Sequence, residues 1–167
     1  MLYALRFEQP GFDSLTIAQH QEGICFIGLG PAAGDKLAAW AKRYLPGSFL
    51  LDQNTPILEK ARTQLLQYFA GERRAFELPL TFHGTPFQLR VWDLMTLIPY
   101  GKTVTYADLA TALNNPGAVR AVGQACGANP IPIVVPCHRV LAKGSLGGYT
   151  GGLEYKKYLL ELEGIGF

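Results

Sequence analysis

Apolar and polar positions alternate near the start of the chain and then settle into helical spacing. Leu15 to Ala18 and Ile24 to Leu29 read as strands flanking a Gln21-Glu22-Gly23 turn, which predicts a hairpin in a small sheet. Asp35 is the expected cap of a helix bearing Leu37, Trp40, Ala41 and Tyr44 and stopped by Pro46-Gly47. A second helix is predicted with Thr55 as cap and Pro56 at its first position. It carries Ile57, Leu58, Ala61, Leu65 and Phe69 on its apolar side, with Gly71 past its end. After the charged Glu72-Arg73-Arg74 patch, the extended Leu78-Pro79-Leu80-Thr81-Phe82 piece reads as a connection between two lobes, an α/β domain over 1–80 and a second domain over 81–167.

The second lobe is patterned for helices. Thr85-Pro86-Phe87-Gln88 has the cap, proline and glutamine of a capping box, followed by Val91, Leu94 and Met95 on one face, and the helix ends at Pro99-Tyr100-Gly101. Thr105 with Asp108 starts a short helix that should bury Leu109 and Leu113, and Asn114-Asn115-Pro116-Gly117 breaks it. A further helix from Ala118 to Cys126 puts Val119, Val122 and Cys126 on one side and Arg120, Ala121 and Gln124 on the other. The pair is a helix-turn-helix candidate. Ala118, Ala121, Gly123 and Ala125 keep this helix thin enough to approach a nucleic-acid groove, although the same composition suits a helix packed inside the lobe. A Gly147-Gly148-Tyr149-Thr150-Gly151-Gly152 loop precedes a last helix, Leu153 to Leu162, with Leu153, Leu159, Leu160 and Leu162 apolar.

Composition narrows the picture. Of 167 residues, 49% are hydrophobic and 17% charged, with no charge runs, so a chain that folds by itself is expected rather than a disordered one. No segment is apolar for long enough to span a bilayer, and the opening residues lack a secretory pattern, so a cytoplasmic protein is expected. The net charge of +2 says little about partners. Its distribution says more: Leu109 through Leu153 holds no Asp or Glu but does hold Arg120, Arg139 and Lys143, a stretch suited to an anionic backbone.

The three cysteines form no C-x-x-C pair and no even set, which argues against a disulfide framework or a thiolate zinc site. Cys25 and Cys126 read as small buried hydrophobes. Cys137 is different. It ends a run, Asn129 to Pro136, confined by Pro130, Pro132 and Pro136, with Ile133, Val134 and Val135 expected in the core. His138 and Arg139 follow directly and bring positive potential and a candidate base to the thiol. Adjacent side chains seldom face each other, so His138 as a base would reach the sulfur through a water; otherwise it is a satisfied core histidine. Glu163 falls in the last helical turn, where the helix dipole opposes a carboxylate. Either His138 or Arg139 compensates it, or it is solvated at a frayed end.

Pro136-Cys137-His138-Arg139-Val140 resembles the O6-alkylguanine-DNA alkyltransferase family. The similarity extends from about Phe87 to Gly164 through Val91-Trp92, Ile98-Pro99-Tyr100-Gly101, Thr105-Tyr106, Asn115-Pro116, Val119 to Gly123, Asn129-Pro130, Gly148-Tyr149, Gly151-Gly152-Leu153, Lys156 and Glu163. It implies an α/β N-terminal lobe of a small sheet with helices, supporting a mostly α, winged-helix-like C-terminal lobe whose helix-turn-helix holds the site. It also implies roles. Cys137 would accept the alkyl group, with His138, Glu163 and a water forming its relay and Asn129 bracing the link to the recognition helix. Arg120 would fill the stack vacated by a flipped base, while Ala121 and Gly123 allow close minor-groove approach and Thr105 lies at the DNA contact. Tyr106 would contact the nucleotide and donate a proton to the leaving guanine. Backbone groups of Cys137, Val140 and Thr150 would read the base beside Tyr149.

The expected partner is therefore double-stranded DNA containing O6-alkylguanine, repaired by one irreversible transfer per protein molecule, with O4-alkylthymine left open. A monomer is expected, with no cofactor, no metal, no membrane and no stable protein partner. The separate regulatory domain of the adaptive-response relatives is absent, so no transcriptional role is expected. Two other readings compete: a non-enzymatic one, as an alkyl-lesion binder or a helix-turn-helix DNA-binding regulator, and a hydrolase. A lesion binder without chemistry usually carries Trp where Cys137 stands, and a Cys-His hydrolase needs a separate oxyanion arrangement and base that the sequence does not offer.

Overall fold

In the computed structural model, which describes residues 1–167, the N-terminal alternation builds a four-stranded sheet. Strands β1 (Leu2–Gln9), β2 (Asp13–His20) and β3 (Gly23–Leu29) pair antiparallel in sequence, and β4 (Leu50–Asp52) adds parallel to β1, giving the order β3-β2-β1-β4. The β2–β3 hairpin falls where the pattern predicts it, with Gln21 turning the chain at φ 54°. Strand β1 was not expected. Only Leu2, Ala4 and Gln9 of its eight residues are buried, and Ala and Gln favour strands little, so pairing with β2 decides the conformation.

Two helices complete this unit, which runs from Met1 to His83. Helix α1 (Ala33–Tyr44) corrects one expectation: its cap is Ala32, without a side-chain bond, and Asp35 lies inside the first turn. A backbone bond from Ala33 N–H to the Gly30 carbonyl (3.2 Å) starts the helix, and Asp35 faces the positive end of its dipole instead of capping it. Helix α2 (Pro56–Phe69) starts as predicted, Thr55 Oγ1 accepting from Leu58 N–H at 3.1 Å. The expected connection at Leu78 to Phe82 is tied to β3 instead. Ile24 donates to the Pro79 carbonyl and Thr81 donates to the Ile24 carbonyl, both at 2.9 Å.

The second unit, Gly84–Phe167, holds four helices: α3 (Pro86–Thr96), α4 (Tyr106–Ala112), α5 (Val119–Gly127) and α6 (Leu153–Leu162). Full capping boxes, Thr85 with Gln88 and Thr105 with Asp108, open α3 and α4. Helix α5 packs against α3 and α4, its buried side formed by Val122, Ala125 and Cys126. The Trp92 indole donates to the Ala125 carbonyl at 2.9 Å. Val119, expected on that buried side, is 39% exposed because it begins the helix and faces outward. Leu113 and Val134 are half-buried and Leu153 is exposed, whereas Ile131, Ile133 and Val135 are in the core. A short parallel pair, β5 (Val104–Thr105) and β6 (Val140–Leu141), joins the start of α4 to the segment after Cys137. No helix is long and apolar enough to cross a membrane.

Candidate active site

The turn leading to Cys137 is held in an unusual backbone conformation. Ile133 sits at φ 74°, in the left-handed region that a β-branched residue adopts at a cost of about 1–3 kcal/mol. Asn129 offsets this from both sides. Its side-chain N–H donates to the Val135 carbonyl (2.8 Å) and its Oδ1 accepts from Ile131 N–H (3.0 Å). Val135 N–H closes the same turn on the Ile131 carbonyl at 2.9 Å. Cys137 then begins a 3-10 turn, Cys137–Arg139, and is 8% exposed.

A cavity of about 570 Å³ meets the Cys137 side chain. Its wall comes from Tyr106 on α4, from Val119, Arg120, Gly123, Gln124, Cys126 and Gly127 on α5, and from the Gly148-Tyr149-Thr150 loop. The cavity size is in the range of sites that enclose a small organic group. Thr150 Oγ1 donates to the Gly127 carbonyl at 2.6 Å, which ties the loop to the end of α5. Gly147 is required there: its φ is 71°, and a Cβ would fall 2.8 Å from the Tyr106 ring and hydroxyl.

Away from the cavity lies a buried ionic cluster. His138 is fully buried, with Nε2 2.7 Å from Glu163 Oε1. Arg139 grips the same carboxylate in a fork, Nε to Oε2 and Nη2 to Oε1 both at 2.9 Å, and donates from Nη1 to the Ile98 carbonyl at 2.7 Å. Gly101 N–H adds a bond to Glu163 Oε2 at 3.0 Å. Glu163 caps the C-terminus of α6, so the helix dipole that opposes it is answered by a guanidinium, an imidazole and an amide. The solvated alternative for Glu163 does not hold, since the residue is 7% exposed.

Burial sets the resting charges. It pushes the Cys137 thiol up, against hydrogen bonds from Asn129 and Tyr149 and the pull of the Lys156 charge. It also pushes His138 down, although the Glu163 carboxylate opposes that shift. The resting site is therefore a thiol beside a neutral imidazole, with the Arg139–Glu163 pair balancing itself. Burial keeps Tyr106 a phenol by raising it further, and its hydroxyl donates to the Gly148 carbonyl at 3.4 Å.

The structure thus gathers Cys137, Tyr106, Arg120, Gly123, Tyr149 and Thr150 at one cavity, and pairs His138, the residue after Cys137, with Glu163 outside it. Asn129 braces the turn that carries the thiol. Val140 is not part of the cavity wall; its N–H bonds the Cys137 carbonyl and its own carbonyl accepts from Lys156. Ala121 is exposed on α5, and Thr105 serves as the cap of α4. Three residues here had no role assigned from the sequence. Gln124 and Gly127 complete a stripe with Arg120 and Gly123 at i, i+3, i+4 and i+7, a spacing that was readable. Lys156, fully buried, lies three and four residues before Leu159 and Leu160, and a lysine on an apolar helix face is itself a signal. No group of three or more His, Cys, Asp or Glu side chains is arranged to hold a metal ion.

A thiol that opens into a cavity walled by both helices of a helix-turn-helix defines a protein that does covalent chemistry with sulfur at a nucleic-acid-binding surface. Family models agree: residues 86–165 match the DNA binding domain and residues 11–82 the ribonuclease-like domain of 6-O-methylguanine DNA methyltransferase. A Methanosarcina acetivorans methylated-DNA–protein-cysteine methyltransferase is 42% identical over 98% of this chain and 99% of its own length. The inducible Bacillus subtilis methylated-DNA–protein-cysteine methyltransferase is 47% identical over 88% of this chain and 82% of its own. Among solved structures, the Mycobacterium tuberculosis O6-methylguanine methyltransferase superposes with a TM-score of 0.82 at 36% identity, covering 98% of this chain and 93% of that one. The same organism's protein in complex with DNA gives 0.81 at 37% identity, with 96% and 92% coverage. The chain belongs to the O6-alkylguanine-DNA alkyltransferase family.

Proposed function

We propose that this protein repairs DNA by moving the alkyl group from O6 of a damaged guanine directly onto the sulfur of Cys137, once per molecule. The observation that carries this reading is Cys137 in the wall of the helix-turn-helix cavity, followed directly along the backbone by His138, whose ring meets Glu163 at 2.7 Å. All the side chains it uses lie between Thr105 and Glu163 of a single chain, so one copy suffices and the Met1–His83 unit has a supporting role.

Sulfur must lose its proton to attack, and burial alone works against that. With Nε2–H donated to Glu163, the neutral imidazole keeps its lone pair on Nδ1, which takes the thiol proton through a bridging water. The Glu163 carboxylate stabilises the resulting imidazolium, and the Arg139 fork holds that carboxylate still. The thiolate forms a bond to the alkyl carbon as the carbon–O6 bond breaks. Tyr106, kept protonated, donates to the leaving guanine and regains its proton from the imidazolium, so the proton lost by sulfur ends on the base. The products are a thioether and guanine. No cofactor enters the balance, and because the thioether does not revert the protein is consumed.

A base stacked in a duplex cannot present O6 to a thiol in this cavity, so the nucleotide must turn out of the helix. Arg120, exposed near the start of α5, fills the space it leaves, while Ala121 and Gly123 let α5 lie close in the minor groove with Thr105 at its edge. Backbone groups of Cys137 and Thr150, which line the cavity, read the extruded base beside Tyr149, whereas Val140 lies outside that wall with its N–H and carbonyl already bonded and takes no part. No observation favours a lesion binder without chemistry, given the thiol in the cavity wall.

Titration of the protein with duplex DNA labelled in the O6-methyl group tests the stoichiometry. Label in protein should rise to one methyl per chain and stop, however much DNA is added; continued turnover, or no transfer at all, contradicts the reading.

A further inference from the structure

The mechanism above leaves one buried charge without a task. Lys156 on α6 is fully buried, and lysines are rarely so without a purpose. Its ammonium donates to two carbonyls from different segments, Val140 on β6 at 2.7 Å and Gly148 in the loop at 2.9 Å. The Nζ also lies 5.9 Å from the centre of the Tyr106 ring, and Tyr106 donates to that same Gly148 carbonyl. No carboxylate pairs with Lys156; the groups that interact with it electrostatically are Cys137, Cys126 and His138.

Resting on the transfer reading, we infer that Lys156 is a positioning residue for the reaction: it fastens the base-reading loop to the strand that follows Cys137, and it places a positive charge where the Cys137 thiolate forms. The two tasks reinforce each other. A bond to Gly148 fixes the cavity wall that carries Tyr149 and Thr150, and the charge counters the burial that disfavours the thiolate. Burial brings the ammonium down to about 8, against the opposing pull of the Cys137 and Cys126 sulfurs, so the charge is present at neutral pH and is lost just above it. The charge matters only while the thiolate exists, since Cys137 is a neutral thiol before transfer and a neutral thioether after it.

The test compares wild type with Lys156→Met, which removes donor and charge, and Lys156→Gln, which keeps a donor without charge. Three quantities are read: single-turnover transfer from saturating O6-methylguanine duplex, affinity for undamaged duplex, and the pH midpoint of Cys137 carbamidomethylation by iodoacetamide, which needs no base-reading loop. Both variants should lose about tenfold or more in transfer, keep DNA affinity within about twofold, and shift the iodoacetamide midpoint upward by about one unit or more. Transfer within about twofold of wild type, or an unmoved midpoint in a folded variant, overturns the inference. If neither variant folds, the wild-type protein decides: its single-turnover rate should pass a maximum and fall on the alkaline side as the ammonium loses its charge, and a rate rising steadily to about pH 10 overturns the inference. Absence of transfer by wild type itself contradicts the repair reading instead.

Discussion

At the scale of single residues, the chemistry depends on how few groups share the burial. Glu163 receives His138, Arg139 and the Gly101 amide, so it organises the cluster more than any other side chain. Replacing it by Ala leaves Arg139 buried without its anion, and breaking a buried pair in this way costs about 3–5 kcal/mol. Chemical denaturation should report that loss, along with a large fall in transfer; a variant as stable as wild type would show that the fork contributes nothing. Asn129→Ala should release the strained turn at Ile133 and slow transfer while DNA binding persists, measured by single-turnover kinetics beside a binding isotherm. The Cys137-His138 pair was legible because adjacent residue types announce thiol chemistry. Glu163 was open between His138, Arg139 and solvent from the residues alone, and only the fold shows that it takes both partners at once. Lys156 went unassigned because its two partners are backbone carbonyls, which carry no residue signature.

At the scale of elements, the capping boxes were readable because their rule is local: Thr at the cap and Gln or Asp three residues later. Strand β1 was not, because its conformation comes from pairing with β2, and the start of α1 was misplaced because a backbone turn at Gly30 starts it. The two boxes also permit a controlled comparison. Thr85→Ala and Thr105→Ala should each cost about 1 kcal/mol in stability. Only Thr105→Ala should also weaken binding to duplex DNA, if Thr105 lies at the contact; equal affinities for the two variants remove it from the interface. Arg120→Ala should slow repair of duplex DNA much more than reaction with a free alkylated guanine base. Equal losses on both substrates would deny Arg120 its place in the vacated stack.

At the scale of the whole molecule, all three histidines are pushed down, His20, His83 and His138, each mainly by burial. The unfolded chain then binds protons near 6.5 that the folded one refuses, so the stabilising contribution is complete above that pH and is lost as the pH falls. The melting temperature should accordingly drop between about pH 7.5 and 5.5; a flat profile over that window contradicts the burial of these rings. Alkylation should act in the same direction. A methyl group on the Cys137 sulfur disturbs its hydrogen bonds with Asn129 and Tyr149 and must fit against the cavity wall, at a cost of about 1–3 kcal/mol, and a melting temperature unchanged after full modification would exclude that cost. The small sheet and the helices of both lobes were legible from periodicity and turn residues, whereas the winged-helix-like arrangement came from the family resemblance, and single use rests on that resemblance and the stability of a thioether.

Transfer to sulfur is covalent, so it shows in the mass of the protein. The protein is incubated with duplex DNA containing O6-methylguanine, digested, and the peptide carrying Cys137 is weighed beside those carrying Cys25 and Cys126. One added methyl group is expected on the Cys137 peptide alone, with a matching gain of unmodified guanine in the DNA. An unmodified Cys137 peptide while the DNA is bound, or a methyl group on another cysteine, contradicts transfer to Cys137.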